Sequence, residues 1–287
     1  MATLADIKDP GFPYSSIEPL EARIAPATLT AALEGGVLTL TSDGATATSS
    51  LIVQALAQDL YVLLAPGGTV NFGGNLAESA VLSGKVKTIK YEGTDQGDTL
   101  SAIGLTKFVN LDVDLGAGTN SMGVGGEVGL LQVVGGGGND TVNIQGNLVV
   151  KKDMKLQLGD GANLFGVSGI FSNSFVRVLG SLQYTGGSGS DVIQLGTSGP
   201  FPPFSSSLSL EVRRGMTYDL NAGVDNVTLT SGNLRTAFFK VNHEGAECTG
   251  GCGHVLGAEG VDLESRQGPH LTLVHVVVGG GVNHDAG

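Results

Sequence analysis

The chain has no tryptophan, and aromatic residues fill only 5% of its 287 positions. Large rings that anchor globular cores and wall deep pockets are scarce, which weighs against a compact enzyme. Charge is also sparse: 15% of residues are charged, with 15 Lys and Arg against 27 Asp and Glu, a net charge of −12. Nucleic-acid partners demand basic patches to neutralise phosphates. Along this sequence the cations gather no further than pairs such as Lys151-Lys152 and Arg213-Arg214. No nucleic-acid partner is therefore expected. No apolar run reaches the roughly 18–20 residues of a membrane helix. The longest candidate, Leu51 to Ala65, is broken by Gln54, Gln58 and Asp59, so no transmembrane segment is expected. The N-terminus shows no basic stretch followed by an apolar one, hence no ordinary signal peptide. Nucleophile elbows, His-Glu-x-x-His pairs and phosphate loops are missing too. The expectation is a protein that is not an enzyme and requires no cofactor.

Glycine is what the chain has in quantity, 47 residues, without the strict triplet of collagen. Hydrophobic residues make up 41% and fall in alternating patches, enough to fold. One phrase recurs: a Gly-rich turn, then Asp or Asn, then alternating apolar residues. Its Asp/Asn positions are Asp98, Asn120, Asp140, Asn163, Asp191 and Asp225, spaced 22, 20, 23, 28 and 34 residues apart. Each phrase follows a second apolar run, such as Val86–Tyr91, Phe108–Val113, Leu130–Val134 or Met154–Leu158. A period of about 20–30 residues, with two short strands and a glycine turn per unit, predicts a stacked fold. The fold class expected is all-β, a parallel, right-handed β-solenoid (β-helix). An antiparallel sandwich shares the short strands and turns; recurrence in register favours the solenoid. Residues 1–28, with Pro10, Pro13, Pro19 and Pro26, read as an irregular N-terminal arm. Residues 29–270 form the repeat domain, with a Pro-rich insertion at Thr197–Ser207, and 271–287 a C-terminal strand and tail. Ile52 to Leu64 reads as a short helix or two strands.

The segment Glu18-Pro19-Leu20-Glu21-Ala22-Arg23-Ile24-Ala25-Pro26-Ala27 resembles the short N-terminal LEPR-x-LL motif of large bacterial surface and secreted proteins. Leu20, Glu21 and Arg23 match; Ala22 stands for the usual Pro, and Ile24-Ala25 for two leucines. In that family the motif precedes β-rich, Gly-rich repeats. The resemblance implies an extracellular or cell-surface location, reached without an ordinary leader.

Two turns, Gly135–Val142 and Gly186–Ile193, fit the calcium-binding nonapeptide of RTX-like repeats, Gly-Gly-x-Gly-x-Asp-x-apolar-x. That resemblance makes Asp98, Asp140, Asp191 and Asp225 candidate Ca²⁺ ligands. One turn gives only a half-site for a cation that wants six or more oxygens. The same residues serve equally as turn caps or as a stacked polar ladder. Cys248 and Cys252, in a Gly-rich loop, fit a small disulfide of an oxidising compartment. With His254 and His243 they also fit a zinc site, and free thiols are the third reading. Asp112, Asp114, Arg213 and Arg214 are the residues a polysaccharide-acting β-helix enzyme would draw on, although surface charge explains them as well.

The function expected first is a structural surface or extracellular protein that self-assembles as a homo-oligomer, filament, fibre or layer. Stacked strands end in unpaired backbone groups, and the sequence shows no polar cap at either end. The apolar strand Leu271–Val278 and the 1–28 arm are candidates to add to a neighbour. A calcium-dependent adhesin, meeting a cell-surface glycan, and a glycan-acting enzyme are the alternatives.

Overall fold

A computed structural model of the chain describes residues 28–44, 48–57, 59–168, 174–196, 208–222, 225–231, 233–236, 239–244, 261–266, 271–272 and 276–278. The arm up to residue 27, the 197–207 insertion, Cys248, Cys252 and His254 lie outside these residues. The described protein is all-β, without a helix, in a mostly parallel sheet that does not close on itself.

Period-two alternation builds each strand. Thr88–Glu92 reads Thr-Ile-Lys-Tyr-Glu, with Ile89 and Tyr91 buried and the others half-exposed. Parallel, in-register pairing then stacks like on like. Leu38, Ile89, Leu111, Leu131, Met154, Leu182, Met216 and Phe239 form one column. Two positions on, Leu40, Tyr91, Val113, Val133, Leu156, Tyr184, Tyr218 and Val241 form another. A third, from a different strand of each unit, runs Leu51, Leu100, Met122, Val142, Phe165, Ile193 and Val227. No member of the three is more than 2% exposed. Full burial of such side chains stabilises by about 1.5–3 kcal/mol each, so the columns are the core. Rings meet between columns: Phe165 and Tyr184 stack with centroids 6.3 Å apart, and Tyr218 and Phe239 tilt at 5.5 Å.

Before residue 84 the pairing changes character. The elements are β1 (Thr28–Glu34), β2 (Val37–Ser42), β3 (Thr48–Ala57), β4 (Leu60–Leu64), β5 (Thr69–Phe72), β6 (Asn75–Ala77) and β7 (Ser79–Ser83). β2 and β3 open the parallel stack, pairing with Thr88–Glu92 and the start of Gly97–Asp114. β1 runs antiparallel on β2, β4 on β3, and β7 on β4. The N-terminal edge of the stack is thus covered by the chain's own antiparallel strands, where the sequence shows no cap. Gly-Gly turns close two of the hairpins here, β1–β2 and β5–β6. Gly35-Gly36 has φ of 59° and 88°, and Gly73-Gly74 has 61° and 84°. Two successive positive φ values make the tight two-residue turn that suits a twisted hairpin. The Ile52–Leu64 segment is two strands, β3 and β4. At the other end, Leu271–Thr272 and Val276–Val278 pair in parallel with Asp225–Ser231 of the same chain.

Glycine at the repeating turns answers to crowding between units. A Cβ on Gly138 would collide with the carbonyl of Gly118, whereas one on Gly137 meets nothing within 4 Å. Gly138→Ala is expected to lower unfolding free energy by about 1–3 kcal/mol, the cost of forced overpacking. Gly137→Ala should change it by less than about 0.5 kcal/mol. Urea unfolding of the two variants checks the difference.

Candidate functional site

The recurrent Asp and Asn residues stand in one internal column. Asp98, Asn120, Asp140, Asn163, Asp191 and Asp225 are each at most 2% exposed. Each sits at a strand start, and from Asp98 to Asp191 the backbone N–H points at the next unit but finds a side chain. Asp98 N donates to Asn120 Oδ1 at 2.8 Å, Asn120 N to Asp140 Oδ1 at 3.2 Å, and Asp140 N to Asn163 Oδ1 at 2.9 Å. Asn163 N donates to Asp191 Oδ1 at 3.1 Å, and Asp191 N to Asp225 Oδ1 at 2.6 Å. The carbonyls are spent as regularly. Asn120, Asp140, Asn163 and Asp191 accept from the amides of Thr141, Leu164, Val192 and Asn226. Buried backbone groups must be paired, and here the pairing repeats unit by unit.

The asparagines do what the aspartates cannot. Asn120 Nδ2 donates to Gly118 O at 2.7 Å and to Asp140 Oδ1 at 2.8 Å, and Asn163 Nδ2 to Gly159 O at 3.0 Å. The amide ties the ladder to the glycine turn and quenches the carboxylate beside it. In the column Asn120 separates Asp98 from Asp140, and Asn163 separates Asp140 from Asp191. Asp191 and Asp225 are the adjacent carboxylates. Burial pushes the Asp191 carboxyl up to about 6, against the lowering effect of the Asn163 amide and the Tyr184 hydroxyl; the Asp225 charge adds to the rise. Burial also raises Asp140, with Asn120 and the Gly136 amide opposing. The Tyr184 phenol, 1% exposed, is held neutral by burial first and by the Asp191 carboxyl second.

The four aspartates expected at a calcium site therefore lie inside the stack, with Oδ1 of Asp140, Asp191 and Asp225 accepting main-chain amides. Among the described residues no three His, Cys, Asp or Glu side chains gather into a metal-binding group. Asp112 faces outward between Lys90 and Gln132 in the paired strands, with Asp114 beside Glu92. Arg213 is held by Glu211 at 3.3 Å, and Glu211 also holds Arg177 at 2.7 Å. The structure does not assemble the two acids and the two arginines into one cluster.

It does assemble residues that sequence order hides. Lys85, Lys87, Lys107, Lys151 and Lys152 line one cavity of about 640 Å³, with Phe108, Asn110 and Asp59. The signal was the repeat itself: Lys85 and Lys107 are 22 residues apart and Lys107 and Lys151 44, one and two units of the period.

The ladder carries a pH signature. The folded-state pKa of Asp191 lies above its ordinary 3.8, so the folded chain holds an extra proton between about 3.8 and about 6. Stability falls as pH rises through that window. Asp191→Asn, isosteric and matching Asn163 in the same column, should flatten this slope and raise the melting temperature by a few degrees at pH 7. Asp191→Ala should instead cost about 1–3 kcal/mol, because the buried Asn163 amide loses its acceptor. Melting curves from pH 4 to pH 8 separate the two. Comparison of the chain with protein-family models, curated proteins and solved structures finds no match.

Proposed function

We propose that this chain is a structural surface or extracellular protein, wound as a right-handed β-solenoid, that associates with copies of itself. The observation that supports this reading is the ladder: from Asp98 to Asp225 it keeps step with the apolar columns, at the same offsets of 22, 20, 23, 28 and 34 residues. Its buried polar groups are used to hold unit on unit. Right-handed winding follows from the general hand of parallel crossovers. Such a fold offers a long flank and two ends, the shape of a spacer, fibre or layer element. An extracellular destination agrees with the resemblance of the Leu20–Ala25 segment to the LEPR-x-LL motif.

Self-association is assigned to the N-terminal end. β7 pairs on one side with β4, and among the described residues no strand pairs with its other edge. It reads Ser-Ala-Val-Leu-Ser, with neither the lysine nor the proline that protects edge strands. Val81 is 62% exposed, and Leu76 on β6 63%. Sedimentation and electron microscopy over a concentration series should show oligomers or filaments, which Val81→Lys shifts toward monomer. Monomers at every concentration for the unaltered chain contradict this reading.

A calcium-binding surface module is the second reading, favoured by the adjacency of Asp191 and Asp225. It predicts that millimolar Ca²⁺ raises the melting temperature and that a chelator reverses the rise. Asp140→Ala with Asp191→Ala should abolish the response; an unmoved melting temperature removes this reading.

A further inference from the structure

We infer that the lysine-lined cavity is a binding site for an acidic polysaccharide, a uronate-containing or otherwise carboxylated glycan laid along the flank of the stack. In a chain with net charge −12, five of the 15 cationic side chains border this one cavity. The acidic lining residue is Asp59, so the five lysines leave a local excess of four positive charges (5 − 1 = 4). The Asp59 carboxylate pairs with Lys107 at 3.5 Å, a loose pair with both side chains more than a third exposed. Lys85, Lys87, Lys151 and Lys152 have no ion pair among the described residues, and all four are exposed. Lysines crowded together without counter-charges repel one another. An anionic ligand relieves that repulsion.

The backbone is shaped around the cavity. Between Leu105 and Val109 the chain takes four steps where the paired strand, Gly126 to Val128, takes two. The two extra residues form a bulge of the kind that re-aims side chains at binding sites. Lys107 and Phe108 sit in it with φ of 68° and 53°. Consecutive non-glycine residues in the left-handed region are strained, by about 1–3 kcal/mol each. The bulge presents Phe108 half-buried, with the Lys151 ammonium 5.2 Å from its ring centre. Gly129 stands between them. A Cβ there would run into the Phe108 carbonyl and the Asn110 side chain, and its lack of a side chain leaves the gap that Lys151 spans. Hydrogen bonds donated by the Asn110 amide to Lys87 O and by the Lys152 amide to Gly129 O place these residues on successive units.

The ligand class follows from this layout. Units stack about 4.8 Å apart, so the cations from Lys87 to Lys152 extend over about 14 Å along the stack. A linear polymer with a repeating charge suits such a row better than one small anion. The Phe108 ring offers an apolar platform for the carbon-bound hydrogens of a sugar ring, beside the Asn110 amide for hydroxyls. A sequence pI of about 4.7 sets this chain apart from nucleic-acid binders, whose binding domains are strongly basic.

Affinity electrophoresis and titration calorimetry of the full chain at low salt test the site, with polygalacturonate and hyaluronate as acidic glycans, dextran as the neutral glycan and oligothymidylate as the nucleic acid. Both acidic glycans should retard the protein, and dextran should not. Binding should weaken steeply with salt, since exposed charges are screened beyond about 8 Å at physiological ionic strength. Lys151→Gln with Lys152→Gln should weaken polygalacturonate binding at least tenfold, and Phe108→Ala severalfold at unchanged charge. Lys155→Gln, an exposed lysine outside the cavity, should leave it within twofold. Thermal melts establish that each variant is folded; if Phe108→Ala is not, the lysine pair decides. No retardation by either acidic glycan overturns the site. So does equal binding by the Lys151/Lys152 double variant, or tighter binding of oligothymidylate than of polygalacturonate. None of these outcomes depends on self-association, because a monomer presents the whole cavity.

Discussion

Everything regular in this protein depends on one hydrogen bond, the backbone amide of an Asp or Asn donating to the side chain of the Asp or Asn one unit later. At that position a strand begins, and the neighbouring backbone is still turning. Without the side-chain oxygen, a buried N–H would be orphaned in every unit, at about 1–3 kcal/mol each. With it, the turn is locked in register, and the apolar residues two and four positions on fall into line over their counterparts. Met122, Val142, Phe165 and Ile193 are stacked because Asn120, Asp140, Asn163 and Asp191 are.

The glycines serve the same constraint from the other side. A side-chain ladder at the turn requires units to approach closely, and the positions flanking it have no room for a Cβ. Gly118 would meet the Gln96 carbonyl, Gly138 that of Gly118, Gly161 that of Gly138, and Gly189 that of Gly161. The glycine content is thus a packing requirement at a defined place in each unit. Low aromatic content has a related origin: the columns are filled mostly by Leu, Val, Ile and Met, and rings enter them only as Tyr91, Phe165, Tyr184, Tyr218 and Phe239.

Much of this was legible beforehand, and the reasons are specific. The offsets between Asp and Asn positions in the sequence are the offsets of the paired strands, because the phrase and the register are one physical object. The strands expected at Leu60–Leu64 and within Phe108–Val113, Leu130–Val134 and Met154–Leu158 are found. The antiparallel cover over the first parallel strands was not foreseen. Alternation looks alike in parallel and antiparallel strands, and Gly35-Gly36 and Gly73-Gly74 were not distinguished from the glycine turns of the repeat. In the sequence the aspartates read both as calcium ligands and as turn caps or a stacked polar ladder; the ladder is what the side chains form, and the sequence shows neither their burial nor the amides that they accept. The lysine cavity was missed because Lys85, Lys107 and Lys151 are far apart in sequence and become neighbours only once the unit length is subtracted.

The ladder has a direction. Each amide points toward the unit that follows it in the chain, never toward the one before, so a newly laid unit supplies the acceptor for a donor already in place. A chain emerging amino-terminus first meets its antiparallel cover at the outset and then adds layers that each close a vacancy left by the last. Halting such growth at any unit boundary leaves the ladder amide of the last unit unsatisfied, among the other unpaired backbone groups of that edge. The polarity of the ladder thus runs with the chain: each completed unit presents a donor to the one that follows.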